Sequence, residues 1–170
     1  MALDGLGERF AVANPRAVRL VSAVHGVHEL FSLALPAVLP LVIAEFDLTY
    51  ARAGLLVATY FGTYAVLQAP AGVLADRLGQ RRLIAAGTAV MAVGMALASV
   101  APTAPVLFGS VALAGVGGSS YHPAGMGFVS DVEPDATAGR AMGVHELAGV
   151  VGNLLAPAFT GGIAAATNWR

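Results

Sequence analysis

Cysteine is absent from the 170 residues, and so is lysine, so that all nine basic side chains are arginine. Without a thiol there is no disulfide, no cysteine nucleophile and no thiolate metal ligand. Charge is scarce as well: 11% of residues carry one, against roughly a quarter in soluble domains. The nine basic and ten acidic residues nearly cancel, to −1, which leaves no electrostatic reason to expect a nucleic-acid partner. No nucleophile–base constellation and no metal-ligand spacing stands out. The histidines closest in sequence, His25 and His28, are i,i+3 and lack further obvious ligands. The sequence therefore predicts no catalytic residue, no metal and no cofactor. What fills the chain is apolar: 57% hydrophobic residues and a mean hydropathy of +0.75.

Those apolar residues fall into long runs. Crossing about 30 Å of hydrocarbon as a helix takes about 20 mostly apolar residues. Five segments qualify, at about 20–44, 51–75, 83–101, 105–129 and 139–166, within a membrane part covering 20–170. Breakers and charges interrupt them at Glu45 to Arg52, Asp76 to Arg82, Ala101 to Pro105 and Asp131 to Arg140. Backbone amides in lipid must be satisfied within the segment, so these read as helices, and the fold class is all-α and polytopic. A soluble bundle would need a polar face on each helix, and Leu83 to Ala101 is apolar all round. An N-terminus inside the cell places Arg9, Arg16, Arg19, Arg77, Arg81, Arg82 and Arg140 inside, leaving only Arg52 and Arg170 outside. That asymmetry predicts an integral protein of the cell membrane with residues 1–19 as a cytoplasmic tail.

Several polar residues lie inside these spans, where an ionisable group costs about 2.5–3.5 kcal/mol at the bilayer centre. The first span carries His25, His28 and Glu29, and positions 25, 29, 32 and 36 form one His-Glu-Ser-Pro stripe. The fourth carries Ser119, Ser120, Tyr121 and His122 before Pro123, and the fifth carries His145, Glu146 and Asn153. At about 1.5 Å per residue, His25, His122 and His145 all fall roughly 7–11 Å from the cytoplasmic boundary. Imidazole is the side chain whose charge moves most readily across physiological pH, which suits proton coupling. His25, Glu29, Ser119, Tyr121, His122, His145, Glu146 and Asn153 are thus the substrate or proton pathway candidates. His28 reads as an interhelical hydrogen-bonding residue, and Tyr60, Tyr64 and Gln68 read as packing. Pro123 frees the carbonyl of Ser119 in a bend, and Pro36 and Pro40 bend the first span. Gly139, Gly143, Gly149, Gly152 and Ala156 are small enough to permit close helix crossings.

Between the second and third spans stands Gly72-Val73-Leu74-Ala75-Asp76-Arg77-Leu78-Gly79-Gln80-Arg81-Arg82, a G-x-x-x-D-R-x-G-x-R-R pattern. In this the chain resembles major facilitator transporters. Gly143, Gly152 and Ala156-Pro157 are similar to the fifth-span antiporter signature of drug efflux members, with Ala156 and Thr160 where glycines are usual. The blocks 33–40, 117–123 and 149–153, above all Tyr121-His122-Pro123, resemble the fosmidomycin resistance branch, although Ala124 and Gly125 stand where an acidic residue is common. The fourth-span arginine of many drug–proton antiporters has no counterpart in Val111 to Gly115. The resemblance implies two six-helix halves, of which these five spans are part of the N-terminal one. It implies a bilayer, a small-molecule substrate, protons and the missing C-terminal half as partners, and export by alternating access. It also implies a conformational latch formed by Gly72, Asp76, Arg77, Gly79, Arg81 and Arg82, with Asp76 left to local arginine pairing in this chain. The alternatives are uptake of a small anion or metabolite, and a non-transporting membrane module or truncated gene product.

Overall fold

The computed structural model describes residues 11–170, which form helices with no strand among them. They are α1 (Pro15–Ser32), α2 (Ala34–Phe46), α3 (Tyr50–Leu78), α4 (Gln80–Ser99), α5 (Ala104–Gly118), α6 (Tyr121–Val132) and α7 (Asp135–Ala166). Each punctuation point has a local cause. Pro36 cannot donate to the carbonyl of Ser32, and the first apolar run breaks at Leu33 into α1 and α2. Pro123 does the same to Ser119, and the fourth run breaks at Ser119–Ser120 into α5 and α6. Asp47 ends α2 in the left-handed region at φ 49°, and Thr49 caps α3 by accepting the Arg52 amide at 3.3 Å. Gly79, at φ 87°, makes the turn between α3 and α4 that a side chain would strain.

The connections alternate between two ends of the bundle. At one end Glu133 accepts the backbone N–H groups of Ala13 (2.9 Å) and Asn14 (2.6 Å) and the Thr137 hydroxyl (2.6 Å), while the Asn14 amide donates to the Val132 carbonyl. Arg81 lies over the Phe128 ring there, 5.1 Å from its centroid. At the other end Arg170 pairs with Glu45 and donates to the carbonyls of Ser99 (2.8 Å) and Ala101 (3.0 Å). Apolar clusters occupy the interior, a small one of Ala71, Ala75, Leu83 and Ala124 and one towards each end. Val18, Val21, Val129 and Ala141 fill the Glu133 end, and a larger group including Leu35, Val38, Leu56, Met91, Leu107 and Val111 fills the Arg170 end.

The outside is as apolar as the inside. Leu20, Val66, Val100 and Leu154 are each at least two-thirds exposed. In water such a surface would aggregate, whereas lipid satisfies it. Hydroxyls within the helices turn back onto their own backbone: Thr59 to Leu55 (2.8 Å), Thr63 to Thr59 (2.7 Å) and Ser110 to Val106 (2.8 Å). By length and composition alone, the continuous stretch Pro15–Phe46, Gln80–Ser99 and Asp135–Ala166 qualify as spans. The broken pair α5 and α6 and the polar-ended α3 fall outside that set, because neither α5 nor α6 is long enough by itself.

Helix pairs touch where glycines allow it. A Cβ at Gly152 would overlap the carbonyl of Gly26, joining α1 to α7. A Cβ on Gly94 would stand 2.7 Å from the Ala114 Cα, and one on Gly117 would meet Met91, joining α4 to α5. Two expectations need correction. Gly139 and Gly143 face open space, with nothing within 4 Å of where a methyl group would stand, so they make no helix crossing among the described residues. Asp76 is exposed and forms no ion pair with an arginine among the described residues; Arg77 is its chain neighbour, and adjacent helix positions do not face each other. Helix α1 starts at Pro15, inside the stretch assigned to the tail, because Pro is suited to the first helical turn. Of that tail, residues 1–10 lie outside the described residues.

Candidate functional site

Between the apolar clusters of the two ends lies one polar layer, and it gathers all four histidines of the chain. Helix α1 contributes His25, His28 and Glu29, α6 contributes Tyr121 and His122, α7 contributes His145 and Asn153, and α3 contributes Tyr60 and Tyr64. The i,i+4 spacing of His25 and Glu29 puts both on one face of α1, and the break before α6 sets Tyr121 and His122 opposite that face.

Tyr121 is the plate on which the layer stacks. Its ring lies parallel to those of His28 (4.7 Å, 18°), His25 (5.2 Å, 20°) and His145 (6.0 Å, 15°), and its hydroxyl donates to the Val21 carbonyl at 2.6 Å. His25 and His145 also stack directly, with ring centroids 4.3 Å apart. Gly149 is the space in which His25 sits: a Cβ there would come within 2.6 Å of the imidazole.

Glu29 is the hub. One carboxylate oxygen, Oε1, lies 3.7 Å from His25 Nε2, 3.8 Å from His122 Nε2 and 3.9 Å from His28 Nε2. His25 Nδ1 is 2.9 Å from the backbone carbonyl of His145. A carbonyl only accepts, so this Nδ1 carries a hydrogen, and the neutral ring presents a bare lone pair at Nε2. His122 Nδ1 meets the Tyr64 hydroxyl at 2.5 Å. Tyr60 and Ser32 share a hydrogen bond of 2.9 Å, which braces α3 against α1. Four buried polar atoms of the layer have no hydrogen-bond partner: His25 Nε2, His28 Nε2, His145 Nδ1 and Asn153 Oδ1. The side chains of His25 and His28 are sealed in, whereas Glu29 is 15% and His122 30% exposed, so the layer opens to one side.

Most of the pathway candidates thus come together. Ser119 is the exception: its hydroxyl is turned back onto the Val116 carbonyl at 2.7 Å. Glu146 is exposed at the edge, its carboxylate within 4.8 Å of ligand atoms on His25 and His145. Two members read differently from sequence alone. His28 belongs to the cluster, and Tyr64 hydrogen-bonds His122 besides packing. A signal for both existed, since Gly118 opens a gap in which the Tyr60, Tyr64 and His28 rings converge.

Of the other motif residues, Gly152 and Ala156 are buried on α7, Pro157 lies within the same helix, and Gly143 faces outward. Gly72 approaches Pro123 at an ordinary 3.6 Å, Gly79 makes the turn, and Arg77, Arg81 and Arg82 are exposed.

Residues 23–170 match the sequence profile described as Major Facilitator Superfamily. The chain is 34% identical over 132 residues to the "Multidrug efflux pump LfrA" of Mycolicibacterium smegmatis, a match covering 77% of this chain and 26% of that protein. It is 31% identical over 116 residues to the "Putative multidrug resistance protein MdtD" of Salmonella paratyphi B, covering 68% and 25% respectively. The chain therefore spans about a quarter of the length of these curated relatives. The matches, with the apolar exterior, point to a protein embedded in a membrane. With the apolar exterior, the alternating connections and the polar layer buried between helices, they identify this chain as a member of the major facilitator superfamily.

Proposed function

We propose that this chain belongs to a proton-coupled exporter of small organic molecules that works by alternating access in the cell membrane, with its N-terminus in the cytoplasm. The observation that carries the reading is Glu29, whose single oxygen faces three imidazoles on two helices inside an apolar bundle. An acidic group in that position needs a cation, and protonatable imidazoles beside it give the cation a path. Export is favoured over uptake by the name of one relative, a multidrug efflux pump, and by the Gly152, Ala156-Pro157 pattern on α7. The Tyr121-His122-Pro123 block supports a reading of the protein as akin to the fosmidomycin resistance branch. Asp76 and the arginines of the α3–α4 turn would form the latch in a complete transporter, where exposure leaves Asp76 available to another helix.

The test is transport by the full-length protein in vesicles. In Glu29→Gln and His122→Gln, transport driven by a pH gradient should be abolished, while substrate exchange at equal pH persists, because exchange need not release the proton. Full gradient-driven activity in both variants would refute the proton role and leave these side chains as packing residues.

A further inference from the structure

We infer that His25, Glu29 and His122 form a binding site for one divalent transition-metal ion of the zinc, cobalt and nickel class. The inference rests on the reading of this layer as the transporter's cation site and names a second cation for it. The geometry starts from protonation. With Nδ1 of His25 committed as a donor to the His145 carbonyl, its Nε2 is a buried acceptor aimed at another acceptor, Glu29 Oε1, and it has no partner. Two lone pairs facing each other call for a positive centre between them. A shared proton would draw the atoms to about 2.7–3.2 Å, whereas the observed separations are 3.7 and 3.8 Å. Ligands around a tetrahedral ion, each about 2.0–2.1 Å from it, stand roughly 3.3–3.5 Å apart. The three ligand atoms lie within 4.8 Å of one another; a few tenths of an ångström brings each imidazole to ligand spacing from Glu29, and side-chain rotation of about 1 Å at most closes the set.

The surroundings fit a metal as well. Imidazoles that bind metal characteristically donate their other ring N–H to a carbonyl, carboxylate or water, which fixes the tautomer. His25 does this to the His145 carbonyl, and the Tyr64 oxygen can accept from His122 Nδ1 in the same way. Two imidazoles and one carboxylate, with no thiolate in the chain, suit borderline divalent ions better than copper(I), magnesium or calcium. The half-open side at Glu29 and His122 provides entry, and the fourth position falls to His28 Nε2, 3.9 Å from the same carboxylate oxygen, or to water.

The probe is Co²⁺, titrated into the full-length protein in detergent after chelator treatment. Visible ligand-field absorption reports the geometry, and calorimetry with Zn²⁺ reports the affinity. One equivalent should bind with a tetrahedral spectrum and be displaced by Zn²⁺. Affinity should fall at least about 100-fold in His25→Ala and Glu29→Gln, and about 10–100-fold in Tyr64→Phe, which disturbs only the outer hydrogen bond. Helical circular dichroism and a monodisperse elution profile verify each variant's fold. If the buried substitutions do not fold, the partly exposed His122→Gln and the wild-type spectrum still decide. No bound Co²⁺, or binding unchanged in the folded variants, overturns the site. Gradient-driven transport in chelated buffer separates this result from the proton reading: transport without metal binding leaves only the proton, and metal binding without such transport leaves only the metal.

Discussion

Replacing Gly152 with alanine adds one methyl group where the backbones of α1 and α7 touch. That carbon would sit 2.8 Å from the Gly26 carbonyl carbon and closer still to its oxygen, about 1 Å short of relaxed carbon contact. The obstructing atoms belong to helical backbone and cannot rotate away, so α1 and α7 must separate by a similar distance. Overpacking by a methylene-sized group costs about 1–3 kcal/mol, and a backbone clash belongs at the top of that range. Alanine's better helix propensity returns up to about 1 kcal/mol, which leaves a net loss of about 2 kcal/mol. For a chain of this size that lowers the unfolding midpoint by about 4–8 °C. The separation also lengthens the 2.9 Å contact between His25 Nδ1 and the His145 carbonyl beyond hydrogen-bond range, so transport should fall with stability. Gly109→Ala is the control, because nothing lies within 4 Å of its methyl position on α5. It should be neutral or slightly stabilising. Thermal unfolding in detergent and vesicle transport test both variants. Equal midpoints and equal transport would refute the reasoning that backbone contact sets this crossing.

Two further outcomes follow from the ends of the bundle. Burial by itself would raise the Glu133 carboxyl above its ordinary 4.5, but the Thr137, Ala13 and Asn14 hydrogen bonds and the Arg140 charge outweigh it and hold the group lower. The stabilisation is therefore present above about pH 4.5 and is lost as pH falls through the lowered folded value; labelling of a cysteine placed at position 13 should rise over that window, and Glu133→Gln should label at neutral pH as wild type does in acid. Asp76→Asn should insert normally yet impair transport by the full-length protein at matched expression, whereas unchanged rates would reduce the turn to a cluster of topological charges.

Helix positions and breaks are legible in the sequence because their causes are local. Proline at 36 and 123 removes a donor at a known offset, and both runs break there. That His25, His122 and His145 share one layer is legible too, since rise per residue is fixed. Facing is not. Gly143 and Gly149 differ by six residues and by the whole question of whether α1 lies opposite, so one is free and the other cradles His25. His28 falls off the stripe of α1, yet Tyr121 stacks on it from another helix. The acidic loop offers no clue to Glu133, because counting charges for topology ignores which backbone amides a carboxylate can reach. Its partners Ala13 and Asn14 lie about 120 residues away in sequence.

The links around the histidines differ in what they tolerate. His25 is held within the α1–α7 pair by the Gly149 cradle, the His145 carbonyl and the crossing of Gly26 with Gly152. A displacement there of an ångström breaks a hydrogen bond, whose strength falls steeply with distance and angle. Glu29 and His122 face each other at 3.8 Å without a hydrogen bond, and attraction between charges fades slowly with separation. His122 rides on α6, a 12-residue helix detached from α5 by the Ser119–Ser120 break and held from behind by Tyr64. Tyr121, the chain neighbour of His122, also ties α6 to α1 through its hydrogen bond to the Val21 carbonyl and its stacking on His25 and His28. A cation that bound one arrangement of these helices more tightly than another would favour that arrangement. A ligand shifts an equilibrium only by such a difference in affinity, and alternating access requires one. Sequence depth weighs His25 and His122 alike; packing gives the first a backbone partner, the His145 carbonyl, and the second a side-chain partner, the Tyr64 hydroxyl.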